Sequence, residues 1–252
     1  MDTLMNITLI SVATGIVGTG LGGLFASAFH VKKNDILGFI MQLSAGLMLA
    51  VVAFDLLPAA FDTAKMWNQR WFLSASIVGV IAGVMFAAVI QHIMERGQEP
   101  QYRSKKVNLM QTGIITGIAI AMHNTFEGLA IGSGFDVSPV LGISIAIAIF
   151  FHDIPEGTAM AAPMIGAGMS VGKATFYAAL SGVPMALGAA LGVILGTISP
   201  LVIAICLAAA AGTMLYISFC DLIPTAGAIS PASYAGAVLG MMLGIIVTNI
   251  FD

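Results

Sequence analysis

Long apolar runs broken by short polar punctuation divide this chain into eight segments. They cover 7–29, 36–57, 71–93, 109–134, 140–163, 172–197, 200–223 and 233–250. A bilayer-spanning helix needs about 20 apolar residues, so each run predicts one crossing. The breaks carry the expected punctuation: His30 to Asp35, the polar stretch Glu95 to Asn108, Ser138-Pro139 and Ser199-Pro200. No basic region or small-residue cleavage site precedes the first run, which therefore reads as a retained helix rather than a removed leader. The pattern predicts an all-α integral membrane protein.

Polar residues inside such runs are the exceptions that need a reason. Span four contains His123-Asn124-Thr125-Phe126-Glu127-Gly128 and span five contains His152-Asp153-Ile154-Pro155-Glu156-Gly157, two copies of one H-(N/D)-x-x-E-G pattern. On a helix, His and Glu four residues apart share a face, about 6 Å apart along the axis. An ionised side chain at the bilayer centre costs roughly 2.5–3.5 kcal/mol on insertion scales, so such residues point to function. Both motifs fall near the middle of their spans, and the spans run antiparallel. Glu127 is then level with His152, and His123 with Glu156. Two imidazoles and two carboxylates suit zinc and other first-row divalent metals. Asn124 and Asp153, one step around each helix, offer oxygens to a neighbouring ion. A purely structural His–Glu cluster accounts for one copy of the motif far better than for two. Pro155 withdraws a backbone donor from the carbonyl of Phe151 and predicts a kink beside the ligands.

A weaker repeat flanks these helices. Ala53-Phe54-Asp55-Leu56-Leu57-Pro58 in span two resembles Phe219-Cys220-Asp221-Leu222-Ile223-Pro224 in span seven. Gly79 and Gly83 in span three echo Gly236, Gly240 and Gly244 in span eight. Spans 1–3 then correspond to spans 6–8 with opposite directions through the bilayer, the inverted arrangement of secondary transporters. Common helix endings and glycine packing faces are the alternative explanation of both echoes. The expected organisation is one polytopic domain over 1–252. It comprises a first repeat 1–93, a cytoplasmic loop 94–108, the metal-site helices 109–163 and a second repeat 172–250. Asp55 and Asp221, near opposite ends of their spans, and Asp136 in an outer loop are candidates for the path by which a cation arrives and leaves. Interfacial capping is an equal reading for the first two.

Composition sharpens the setting. Hydrophobic residues make up 59% of the chain and charged residues 8%, against about 25% charged in soluble domains. No basic patch suggests nucleic acid. Alternate loops hold Lys32, Lys33, Arg96, Arg103, Lys105, Lys106 and Lys173, and the opposite set only Lys65 and Arg70. The bias places both termini outside the cytoplasm. Cys206 and Cys220, about 21 Å apart along one predicted helix, are too distant for a mutual disulfide and read as buried free thiols. The 16 methionines are scattered as core filler.

These residues resemble the ZIP (ZRT/IRT-like) family of divalent metal transporters, in its bacterial branch, across all eight spans. The paired motifs of spans four and five carry the likeness. The resemblance implies a 3+2+3 arrangement of helices in the cell's inner membrane, with metal moving toward the cytoplasm by alternating access. It implies a primary site of His123, Glu127, His152 and Glu156, and a secondary site of Asn124 and Asp153 bridged by both glutamates. Metal is then the substrate, zinc foremost with cadmium, ferrous iron or manganese as further candidates, and no cofactor is called for. The chain departs from the family at Phe126, where a proline is usual. Met185 replaces a secondary-site glutamate within Ser181-Gly182-Val183-Pro184-Met185. In span seven, Phe219-Cys220-Asp221 replaces a His-Glu stretch. An intramembrane metalloenzyme using the same ligands to activate water is the alternative, although no HExxH-type base is present. A metal-stabilised structural protein is a third option. Oligomeric state is open, a homodimer included.

Overall fold

A membrane span must satisfy its own backbone, and these sequences do so as helices. The computed structural model describes residues 2–28, 34–96, 108–194 and 200–250, and no strand occurs among them. Eleven α-helices follow in order: α1 (Asp2–Ala28), α2 (Asn34–Val51), α3 (Leu57–Trp67), α4 (Phe72–Arg96), α5 (Leu109–Val137), α6 (Pro139–Gly166), α7 (Val171–Ser181), α8 (Pro184–Ile194), α9 (Pro200–Tyr216), α10 (Ile223–Ile229) and α11 (Tyr234–Ile250). Among the described residues, seven apolar stretches are long enough to cross a membrane, and α11 adds a shorter eighth. Most of the loop expected at 94–108, with Arg103, Lys105 and Lys106, lies outside the described residues, as do His30, Lys32 and Lys33.

Local chemistry places the ends. Asn108 caps α5, its side-chain oxygen accepting the Gln111 amide at 3.2 Å. Asn68 does the same for Arg70 at the turn between α3 and α4. Gly168, at φ +99°, closes α6 in the left-handed region that a side chain resists. Within the spans, Ser11, Thr14 and Thr19 donate their hydroxyls to carbonyls four residues back, which makes them acceptable in an apolar setting.

Two spans outrun their expected ends. Span two continues through Pro58 to Trp67 and span seven through Pro224 to Ile229. The cause is shared. Each carries a π-helical segment, π1 (Val52–Leu56) and π2 (Ile217–Leu222), just before the proline. The wider turn puts the proline at the start of the next helical stretch, where its missing N–H is tolerated. Asp55 and Asp221 therefore lie inside continuous helices, not at their ends. Helix α6 is continuous through Pro155 and Pro163. The break comes in span six, where Gly182 and Val183 separate α7 from α8.

The spans pack as two groups. One holds α1, α5, α6, α7 and α8; the other holds α2, α3, α4, α9, α10 and α11. Exchanging span 1 with 6, 2 with 7, 3 with 8 and 4 with 5 turns each main pairing into another one present. Thus α4–α9 maps onto α11–α2, and α5–α8 onto α6–α1. Backbones touch within each group. A Cβ added to Gly83 meets the Ala209 carbonyl at 1.9 Å, and one on Gly240 meets the Leu43 carbonyl at 2.1 Å. Such approach is how small residues hold membrane helices together in the absence of a hydrophobic drive between them. Both cysteines are free, Cys220 exposed and Cys206 half-buried, so the expectation of two buried thiols is corrected.

Candidate metal centre

Helices α5 and α6 lie side by side in the first group and bring both motifs to one place. Ligand atoms of His123, Glu127 and His152 all fall within 4.8 Å of one another. His123 Nε2 lies 2.8 Å from Glu127 Oε1 and 3.3 Å from Glu156 Oε1. His152 Nε2 is in contact with Glu127 Oε1, and the two imidazole rings are 6.5 Å apart. All four side chains are buried. Glu127 thus spans both imidazoles, and both oxygens of Glu156 lack a hydrogen-bond partner among the described residues. Polar atoms left this way in a membrane interior call for a further partner. Nitrogen and carboxylate oxygen together are the donor set of a first-row divalent metal.

Packing holds the ligands in place. Gly128 and Gly157, each directly after a glutamate, let neighbouring backbones close in. A Cβ at Gly128 meets the Met185 carbonyl at 1.9 Å, and one at Gly157 meets the Thr19 carbonyl at 2.0 Å. Helix α1 also covers Asp153, whose Cβ lies 2.5 Å from where a Gly18 side chain would begin.

Asn124 and Asp153 sit beside the four ligands, both fully buried. Asn124 Nδ2 donates to the Ser181 carbonyl at 2.9 Å. That carbonyl is free because the Met185 amide, its ordinary helical donor, bonds the Gly182 carbonyl at the α7–α8 break. The amide orientation follows, and Asn124 Oδ1 and both oxygens of Asp153 have no hydrogen-bond partner among the described residues. Met185 supplies no oxygen to this layer; it packs in an apolar cluster with Ile131, Ala146 and Ile149.

The three path candidates fare differently. Asp55 Oδ2 lies 3.8 Å from His152 Nδ1, with its side chain 41% exposed, so it flanks the centre itself. Asp221 is 7% exposed and accepts a hydrogen bond from Thr112 at 2.9 Å. Thr112 precedes His123 by eleven residues, about 16 Å along α5. Asp136 lies in the last turn of α5, and its side chain is outside the described residues. Sequence reasoning missed the Ser181 carbonyl, Gly18 and Thr112. The proline in Ser181-Gly182-Val183-Pro184 is the one signal that marked a helix break there.

Comparison with known proteins identifies the family of the chain. A family profile described as Zip: ZIP Zinc transporter matches residues 92–252. The zinc transporter ZupT of Corynebacterium glutamicum is 34% identical over 247 residues, covering 93% of each chain. Its counterpart in Corynebacterium efficiens is 33% identical over 244 residues, covering 92% of this chain and 90% of the relative. The zinc transporter ZupT of Salmonella heidelberg is 34% identical over 247 residues, covering 94% of this chain and 92% of the relative.

Proposed function

This chain belongs to the ZIP family of metal transporters, and from that premise we propose that zinc is its principal cargo, bound at the centre between α5 and α6. It is a multi-pass membrane transporter of divalent metal, not an enzyme. The observation that carries the proposed centre is the convergence of two imidazoles and two carboxylates, all buried, from two spans.

His123, Glu127, His152 and Glu156 hold the ion, with Asn124 and Asp153 beside them. Glu127 already contacts both imidazoles. A metal entering this cluster displaces those contacts and takes over the carboxylate charge. Asp55, partly exposed and next to His152, receives the ion on one side. The positive loops on the opposite side orient the chain with both termini outside the cytoplasm, and metal moving inward across the inner membrane follows from the family resemblance. Access alternates by relative movement of the two helix groups, the centre travelling with α5 and α6 in the first.

Zinc uptake into proteoliposomes tests this reading. Vesicles with the protein accumulate zinc down its gradient, and empty vesicles do not. Counterflow against cadmium, ferrous iron and manganese ranks the cargo. Vesicles that bind zinc without accumulating it contradict transport and favour the structural alternative.

A further inference from the structure

Residues 65–71, where α3 turns into α4, hold both tryptophans of the chain and the only two cations of its weakly charged loop set, Lys65 and Arg70. Hydrogen bonds fix this turn. Asn68 Oδ1 accepts the Arg70 and Trp71 amides at 2.8 and 3.3 Å, and the Asn68 amide bonds the Ala64 carbonyl at 3.0 Å. The resulting backbone lays each cation against a ring. Lys65 Nζ is 5.3 Å from the centre of the Phe72 ring, and Arg70 Cζ is 5.6 Å from the centre of the Trp71 ring. Phe61 meets Phe72 edge-on with ring centres 6.5 Å apart, which steadies the first of these rings.

The charges of the turn do not cancel. Asp62 Oδ1 pairs with Lys65 Nζ at 2.8 Å, whereas the Arg70 guanidinium has no ion pair among the described residues. One carboxylate against two cations leaves a net positive charge at the end of two membrane spans. A guanidinium stacked on an indole keeps its N–H edge free, and that edge matches phosphate oxygens two at a time. An apolar track starts directly beside it. Leu73, Ile77, Ile81 and Met85 follow at four-residue steps along α4, all of them exposed, over about 18 Å of helix. Half the hydrocarbon core of a bilayer is about 15 Å deep. Phosphate chemistry and acyl-chain chemistry thus adjoin on one helix end, an arrangement of which a dissolved anion would use only half.

We propose that the α3–α4 turn is a binding site for an anionic phospholipid, with its phosphate on the Arg70 guanidinium and an acyl chain along the exposed face of α4. A negative headgroup is favoured over a zwitterionic one for two reasons. The turn carries net positive charge, and the ring faces that would hold a headgroup ammonium are already occupied by Lys65 and Arg70. Trp71 is exposed beside the guanidinium, as suits an aromatic side chain at the boundary between headgroups and hydrocarbon. Both helices of the turn belong to the second group, and the metal centre lies in the first. The lipid therefore ties the second group to the membrane, whichever metal is carried.

Because both tryptophans lie in this turn, indole fluorescence reads the site directly. The full chain carrying Trp67→Phe, so that Trp71 alone emits, is reconstituted in phosphatidylcholine vesicles with a minor fraction of phosphatidylglycerol. Bromine, a short-range quencher, is placed on the acyl chains of one lipid or the other in matched amounts. Phosphatidylglycerol is expected to associate about fivefold more strongly than phosphatidylcholine, the worth of one basic residue at an anionic surface. Arg70→Gln is expected to bring this ratio near one, Arg70→Lys to keep part of it, and Asp62→Asn, which releases Lys65, to raise it. If thermal unfolding shows that Arg70→Gln does not fold, raised salt on the parent protein decides. Screening must then lower the ratio, and a ratio that salt leaves unchanged overturns the proposal. Equal quenching by both lipids in the parent also overturns it, as does a preference that a folded Arg70→Gln variant keeps. A preference removed by inorganic phosphate at constant ionic strength contradicts it too, as the mark of a free-anion site. Quenching by both lipids that declines as the protein-to-lipid ratio rises assigns the α4 face to a second copy of the chain instead.

Discussion

Glu127 touches both His123 and His152, so a single carboxylate ties the two motifs together. Metal must compete with protons for the same atoms, because ligating imidazole is neutral and ligating carboxylate ionised. Apparent zinc affinity is expected to fall as pH drops from about 7.5 to about 5.5, the region where an ordinary histidine gains its proton. Calorimetry at buffered free zinc and constant ionic strength checks this; a flat profile contradicts it. The adjoining layer makes a second prediction. Asn124 and Asp153 offer oxygens, but Met185 is committed to an apolar cluster, so α8 contributes no carboxylate. One tightly bound metal per chain is expected. Two sites of equal, high affinity would show that another ligand completes the neighbouring site.

Helices rather than single residues explain what the sequence left unseen. The His/Glu spacing on α5 and α6 was legible because a four-residue repeat on a helix translates directly into a shared face. The depth of Asp55 was not, because a proline after an aspartate reads as a helix ending. Only the π-turn, which no periodicity reveals, carries span two through Pro58 and sets Asp55 beside His152. The Ser181 carbonyl was invisible for a similar reason: a backbone atom becomes a partner for Asn124 only where a neighbouring helix breaks. Close packing was readable in kind, from glycines after each glutamate, and the structure supplies the neighbours. Gly128→Ala and Gly157→Ala should each destabilise the protein by about 1–3 kcal/mol, since the added methyl meets backbone that must shift. Thermal unfolding in detergent reads this as a lowered midpoint, whereas Gly172→Ala, with open space around it, should leave the midpoint near wild type.

Across the whole molecule, the two halves stand in unequal relation to the centre. Asp55 meets His152, while its counterpart Asp221 meets Thr112, well short of His123. Inverted repeats exchange roles when access alternates, so in the opposite state Asp221 should approach His123. That requires α5 to move past span seven by two to three helical turns, roughly 10–16 Å. A crosslink between Thr112→Cys and Asp221→Cys, in a background with Cys206 and Cys220 replaced by serine, is expected to stop transport until reduced. One between Gln91→Cys and Tyr216→Cys, partners within the second group, should leave it running. Equal inhibition by both would refute relative motion of the groups. The most direct test of the centre is zinc uptake by Glu127→Ala with Glu156→Ala, reconstituted at matched insertion and compared with wild type. Uptake at the level of empty vesicles is the predicted result; uptake equal to wild type would mean that the ion crosses without these ligands.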